Sequence, residues 1–131
     1  KWFKQYNEAI LSLEMGIEFV LENEMLLLEF YSSLADSYHA IKKHDLSDSL
    51  YEQALEIDPE NVMVLNNYAY YLSLRKINLA KAKQMSLKCN TIEKDNGTYQ
   101  DTYAWVLYQL AEYVEAKEWM QKSLANGSAT S

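Results

Sequence analysis

We predict an all-α fold, a solenoid of antiparallel helix pairs, and three observations support this prediction. The chain of 131 residues has only three Gly and one Pro, whereas sandwiches and hairpin-rich folds need frequent turns made by those residues. Small residues recur with a period close to 34, and each period contains two stretches with the apolar spacing of helices. One helix pair cannot bury its apolar face alone, but stacked pairs can.

The composition is that of a folded domain and argues against several classes of partner. The apolar fraction of 49% is too high for a disordered tail. Twelve basic and 19 acidic residues give a net charge of −7, which argues against a nucleic-acid partner. No apolar run approaches the roughly 18 residues of a membrane helix, so no membrane partner is predicted. The single Cys cannot form an internal disulfide.

The repeat is clearest in two series of small residues. Ala35 and Ala69 are 34 residues apart, and Ala69 and Ala104 are 35 apart. Ala82 and Ala116 are again 34 apart. A small residue at a helix crossing lets two backbones approach closely, so these positions predict the crossings of consecutive helix pairs.

Each unit divides into a first and a second helix at a short break. In the first unit the break lies at residues 42–44, and Asp45 is expected to cap the second helix. In the second unit the break lies at residues 76–78, with Asn78 as the expected cap. The third unit breaks at residues 111–112. A helical segment upstream of these units brings the expected number of helices to about seven.

The arrangement resembles the tetratricopeptide repeat, in which an aromatic residue, Leu-Gly, Tyr, Ala, a second aromatic residue and Pro follow one another at fixed spacing. In the first unit this pattern reads Tyr31, Leu34, Ala35, Tyr38, Ser47, Tyr51, Ala54 and Pro59. The resemblance implies a right-handed superhelical solenoid that forms a single domain over residues 1–131. Its repeats are expected at residues 28–61, 62–96 and 97–130, and residues 4–21 match an orphan second helix. Because the chain begins without Met, we expect it to be a fragment of a longer chain.

The resemblance implies a non-catalytic protein–protein interaction scaffold, in which the first helices line a concave groove that holds a peptide or partner segment. The candidate peptide-binding residues lie opposite the packing stripe of each first helix: Asp36, His39, Asn66, Asn67, Tyr70, Ser73, Asp101, Trp105 and Tyr108. Their acidic and aromatic side chains favour a neutral-to-basic partner with apolar side chains, and Trp105 is the expected anchor. Tyr38, Tyr68 and Tyr103 lie on the packing stripe and are expected in the core.

The sequence contains no pattern that supports catalysis or a cofactor. His39 and His44 are five residues apart across a predicted break, which favours packing over a metal site. Cys89 aligns with Ala54 and is interpreted as a small residue at a helix crossing rather than a nucleophile. We therefore predict no enzyme, no metal ion and no cofactor.

A second class of function stays open, in which this segment is a structural or assembly part of a larger protein. It would then pack against its own flanking domains or self-associate. Trp2, Phe3 and Tyr6 predict an exposed apolar patch, and we expect self-association through that N-terminal end. The sequence does not identify the compartment, since the cytoplasm and the periplasm both suit it.

Overall fold

The helices of the structure follow the breaks in the repeat pattern. The computed structural model describes residues 2–20 and 23–127. The helices within them are α1 (Trp2–Val20), α2 (Glu24–Ala40), α3 (His44–Ile57), α4 (Val62–Arg75), α5 (Leu79–Ile92), α6 (Gly97–Gln109) and α7 (Tyr113–Ala125). All regular secondary structure in the described residues is α-helical, so the prediction of an all-α fold with about seven helices is confirmed.

The chain divides into two compact units, residues 1–59 and residues 60–131. The first unit contains α1, α2 and α3, and the second contains α4 to α7. The assignment of the whole chain to one domain, and the exact repeat boundaries, stay predictions.

In the first unit, α2 packs against both α1 and α3. Asn23 caps α2, because its Oδ1 accepts a hydrogen bond of 3.1 Å from the backbone N–H of Leu26. Where α1 meets α2, a Cβ added at Gly16 would lie 2.7 Å from the ring of Phe30. Any larger residue at position 16 therefore forces the Phe30 ring to move.

Two side chains of α3 form hydrogen bonds with α2 in the same unit. The hydroxyl of Ser47 donates a hydrogen bond of 2.8 Å to the backbone carbonyl of Ala35. Tyr51 is fully buried and donates its hydroxyl to the carboxylate of Asp36. Both of these hydroxyls are thus paired, as burial requires.

The second unit contains two helix pairs that are closed by equivalent contacts. The thiol of Cys89 in α5 donates to the carbonyl of Val62, with an S···O distance of 3.4 Å. The hydroxyl of Ser123 in α7, 34 residues later, donates to the carbonyl of Gly97 at 2.7 Å. Each contact joins a second helix to the first residue of the preceding helix. In addition, α6 packs against both α4 and α5, so the later pair lies on the earlier one.

The turns inside the helix pairs share one backbone feature. Lys42, Lys76 and Ala111 each follow a first helix and have positive φ angles of 64°, 56° and 62°. The starts of α4 and α6 are also alike. Asn61 accepts from the N–H of Val64, and Asn96 accepts from the N–H of Tyr99.

The two expected caps of the second helices differ from the prediction. Asp45 is not a cap, because α3 begins at His44 and Lys43 occupies the N-cap position. Asp45 instead lies in the first turn, where a carboxylate interacts favourably with the helix dipole. Asn78 does occupy the N-cap of α5, but its φ of 48° leaves its side chain without a capping hydrogen bond.

The packing-stripe tyrosines divide into two groups. Tyr68 and Tyr103 are 3% and 4% exposed, which confirms the prediction that they lie in the core. Tyr38 is only half-buried, and its hydroxyl donates a hydrogen bond of 3.1 Å to Glu14. For Tyr38 the prediction of a core position is therefore wrong, because its polar end stays at the surface beside a carboxylate.

Candidate binding site

The two candidate residues of the first unit already have partners within that unit. Asp36 is half-buried and accepts the hydroxyl of Tyr51. Burial raises the pKa of the Asp36 carboxyl, and the hydrogen bond from Tyr51 opposes that shift. The ring of His39 lies 5.3 Å from the ring of His44, measured between centroids. A role for Asp36 and His39 in peptide binding stays a prediction.

On α4, the structure places the candidate residues at different depths. Ser73 is fully buried, and its hydroxyl donates a hydrogen bond of 2.6 Å to the carbonyl of Tyr70. Asn66 is 9% exposed, whereas Asn67 is half-buried and Tyr70 is 39% exposed. Because α5 and α6 both pack on α4, Tyr70 and Asn67 are the members of this row that a ligand can reach.

On α6, Asp101, Trp105 and Tyr108 follow one another at spacings of four and three residues, which places them on one face of the helix. Trp105 is half-buried and Tyr108 is 53% exposed. Their rings stack with centroids 5.7 Å apart and an interplanar angle of 17°. The Nε1 atom of Trp105 is buried and has no hydrogen-bond partner among the described residues.

The stacked rings form one wall of an open cleft of about 500 Å³ between α6 and α7. We name it the α6–α7 cleft, and its lining residues are Ala104, Trp105, Tyr108, Tyr113, Ala116, Lys117 and Met120. The ring of Tyr113 lies 5.3 Å from that of Tyr108 and extends the aromatic surface. Three aromatic side chains therefore meet where the turn joins the two helices.

Sequence reasoning missed the residues of α7 that line this cleft. It took its candidate residues from the first helix of each pair, so Tyr113, Lys117 and Met120 of α7 were not among them. In the structure, Tyr113 is 59% exposed and its neighbour Val114 is 76% exposed. The sequence signal for this side of the cleft is the apolar pair Tyr113 and Val114 at the start of a second helix, where the first unit has His44 and Asp45.

Two side chains of α5, Lys83 and Cys89, have pKa values that the fold raises. Lys83 lies 2.9 Å from one Glu112 oxygen and 3.1 Å from the other, and this hydrogen bonding raises the pKa of Lys83. Burial raises the pKa of Cys89 to about 12, so its thiol is protonated at neutral pH and a weak nucleophile. Within residues 2–20 and 23–127, no group of three or more His, Cys, Asp or Glu side chains could hold a metal ion.

The fold and this surface define a class: a helical-repeat protein with an open aromatic cleft. Comparison with known proteins then identifies the type of repeat. Residues 50–85 match the family model described as the tetratricopeptide repeat. A tetratricopeptide-repeat-containing protein of Pseudomonas aeruginosa, PA4667, is 25% identical over 122 residues, which are 92% of this chain and 20% of that protein. An uncharacterised protein, ycf37, of Pyropia yezoensis is 28% identical over 100 residues.

Two solved structures have the same fold at low sequence identity. The structure named MamA MSR-1 C2 has a TM-score of 0.74 and 18% identity, and the match covers 93% of this chain and 67% of that one. Pseudomonas aeruginosa pilF has a TM-score of 0.71 and 23% identity, covering 97% and 64%. The resemblance to a tetratricopeptide-repeat protein is thereby confirmed. This fold indicates a general role in protein–protein interaction or scaffolding.

The chain is shorter than the curated relatives that it matches. It spans 20% of the length of the Pseudomonas protein. In the match to the Pyropia yezoensis ycf37 protein, 72% of this chain covers 56% of that protein. In the described residues, no helix has the length and apolar character needed to cross a bilayer.

Proposed function

We propose that this chain is a non-catalytic scaffold that binds an extended, neutral-to-basic peptide segment across the first helices of its second unit. The stacked pair of Trp105 and Tyr108 is the observation that carries this proposal. Tyr70 lies one repeat earlier than Trp105 and offers a second exposed ring on α4. Amphipathic aromatic side chains supply large contact areas at a low cost in conformational entropy, which is why they dominate binding sites.

The charge of the same surface supports a basic rather than an acidic ligand. Asp101 lies one helical turn before Trp105 on the same face of α6. A cation on the ligand gains from this carboxylate and from the negative faces of the aromatic rings. The half-buried Asn67 adds an amide that can bond to an extended backbone.

The test uses three synthetic peptides that share apolar residues and differ only in bearing two Lys, two Gln or two Glu. Binding is measured by isothermal titration calorimetry. We expect the order of affinity to be Lys, then Gln, then Glu. Trp105→Ala should weaken binding by about 2 kcal/mol or more, as is usual for a central Trp, while leaving the helix content unchanged.

The matched control for charge is Glu118→Lys, which makes the same change in net charge as Asp101→Lys at an exposed position of α7. We expect Asp101→Lys to weaken the Lys peptide, most strongly at low salt, where charges are screened least. Glu118→Lys should have a much smaller effect. Equal effects of the two variants, or tightest binding by the Glu peptide, would contradict the proposed site.

The alternative function, a segment for assembly within a larger protein or with another copy, is favoured by the surface of α1. Leu11 and Met15 lie one helical turn apart and are 60% and 58% exposed. Phe3 on the same helix is 49% exposed, whereas Tyr6 is half-buried. The side chain of Trp2 lies outside the described residues. Apolar side chains exposed together on one helix are typical of an interaction surface.

Sedimentation equilibrium tests this alternative. Self-association through α1 predicts a mass that rises with concentration and returns to that of the monomer in the double variant Leu11→Lys and Met15→Lys. A matched control, Leu87→Lys, changes an apolar residue with 44% exposure in the other unit. A monomer at all concentrations, with no response to either variant, argues against self-association.

A further inference from the structure

In the second unit, the α4–α5 pair shows how a further helix, α6, packs against a helix pair. The outer face of the α4–α5 pair is covered by α6. Its Ser73 and Ser86 side chains are fully buried, so small residues line this covered face. At one end, Lys83 on α5 binds the carboxylate of Glu112, which lies just after α6. At the other end, the side-chain amide of Asn90 donates to the carbonyl of Tyr99 at 3.0 Å.

The equivalent face of the α6–α7 pair, one repeat later, is the α6–α7 cleft. In the described residues no further helix covers it. The lysine is retained, because Lys117 stands 34 residues after Lys83. Lys117 is exposed, and no carboxylate of the described residues pairs with it. The retained cation indicates that a carboxylate at the end of a docked helix would find a partner here, as Glu112 does on the earlier pair.

Three other positions differ in a consistent direction between the two faces. Small or polar residues on the covered face are replaced by large apolar residues on the open one: Ser73 by Tyr108, Ser86 by Met120 and Asn90 by Leu124. Tyr108 and Leu124 are 53% and 51% exposed. Ser73 and Ser86 thus have no small counterpart on the open face, and the amide of Asn90 that bonds to Tyr99 is absent there. The open face therefore does not suit another repeat helix seated as α6 is.

We propose that the α6–α7 cleft binds an amphipathic helix of a partner protein, with large apolar side chains on one face and a carboxylate at its C-terminal end. The apolar side chains rest on Tyr108 and Met120, and the carboxylate pairs with Lys117. Helices that bind in apolar grooves commonly present such residues at successive turns. The proposal deepens the proposed function, since it assumes an interaction scaffold, but it places this ligand between α6 and α7 rather than along α4 and α6.

The test uses two lactam-stapled synthetic helices of about four turns, each with a leucine on one face at every turn. They differ in one residue, a Glu or a Lys just after the last turn. We expect the Glu helix to bind the full chain about two- to fivefold more tightly than the Lys helix, the range for an exposed ion pair. Lys117→Glu should reverse that order. Lys94→Glu, an equal charge change in the exposed turn before α6, should leave it unchanged.

A second variant separates the apolar contact from the charge. Met120→Ser restores the residue type of the covered face, and we expect it to weaken both helices about tenfold, as loss of an anchoring side chain commonly does. Circular dichroism checks that the variant stays helical. Absence of binding by both helices, or binding that responds neither to Lys117→Glu nor to Met120→Ser, overturns the proposal.

The outcomes also distinguish this site from the peptide surface proposed above. Asp101→Lys should impair the extended Lys peptide and spare the stapled helices, whereas Met120→Ser should do the reverse. If the extended peptide binds and the stapled helices do not, only the cleft proposal fails. If neither ligand binds, both proposals fail. Concentration-dependent dimerisation that Met120→Ser abolishes would identify a second copy as the occupant and would overturn the assignment to a partner protein.

Discussion

The α4–α5 pair and the α6–α7 pair are closed by equivalent contacts but present different outer faces. Cys89 and Ser123 each donate to the carbonyl of the residue that begins the preceding helix. Outside that crossing, the earlier pair buries Ser73 beneath its neighbours, whereas the later pair exposes Tyr108 at the equivalent position. The contacts that close a helix pair are thus similar in the two pairs, whereas the residues of the face that packs against a further element differ.

The largest difference between the pairs is expected when each central alanine is enlarged. Ala69 is completely buried, and Ala69→Leu should lower the free energy of unfolding by about 1–3 kcal/mol through overpacking. Ala104 is 2% exposed but lines the α6–α7 cleft, so the added atoms of Ala104→Leu have space to enter. Urea denaturation measures both variants. Equal losses of unfolding free energy in the two variants would show that the cleft does not accommodate a larger side chain at position 104.

The next largest effect on the free energy of unfolding is expected from exchanging Asn90 of α5 and Leu124 of α7, which occupy equivalent positions in the two pairs. Asn90 is buried and donates to the carbonyls of Ser86 and Tyr99. Asn90→Leu removes both bonds and should cost about 1–2 kcal/mol of unfolding free energy. Leu124→Asn is the reciprocal change at a position that is 51% exposed, and it should stay within about 0.5 kcal/mol. A larger loss from Leu124→Asn would contradict an open face.

A smaller effect is expected at the closing contacts themselves. Ser123 is buried and bonds to the carbonyl of Gly97 at 2.7 Å, so Ser123→Ala should cost about 1 kcal/mol. The thiol of Cys89 is a weaker donor, and Cys89→Ser replaces it with the hydroxyl found in the other pair. We expect a smaller change for Cys89→Ser, measured by thermal unfolding. A loss above that of Ser123→Ala would show that sulfur packing outweighs the hydrogen bond.

The smallest effect concerns pH. Burial raises the pKa of Cys89 from 9.0 to about 12, so the folded chain keeps a proton that the unfolded chain loses between those values. The resulting stability is fully present below pH 9 and decreases as pH rises toward 12. Between pH 8 and pH 9.5, wild type should lose about 0.8 kcal/mol more of its unfolding free energy than Cys89→Ser. Parallel pH profiles for the two proteins would indicate an accessible thiol.

The arrangement of helix pairs could be predicted from the sequence because it depends on spacing. The period that relates Ala69 to Ala104 and the breaks at 76–78 and 111–112 locate the α4–α5 and α6–α7 turns. Cap chemistry was less predictable. Asp45 is a good capping residue by type, but α3 starts one residue earlier, and a shift of one position changes its role.

The candidate site was predicted in part. Helical spacing brought Trp105 and Tyr108 to one face, and the structure stacks their rings. The same spacing selected Ser73, which is buried because two helices pack on α4 and enclose more of its circumference than one stripe. Met120 was not selected, since a pattern along the chain does not show that a second helix contributes to an open face.

The turns inside the helix pairs have a consequence for the unfolded chain. Lys42, Lys76 and Ala111 adopt positive φ angles that cost a residue with a Cβ about 1–2 kcal/mol. Glycine would avoid this steric cost but would give the denatured chain more conformations to lose on folding. A helical-repeat chain with three glycines therefore accepts strain in its native turns while limiting the entropy of its denatured ensemble. Exchanging one of these residues for glycine redistributes the free energy between the two states, so the net change in stability is smaller than the relieved strain alone.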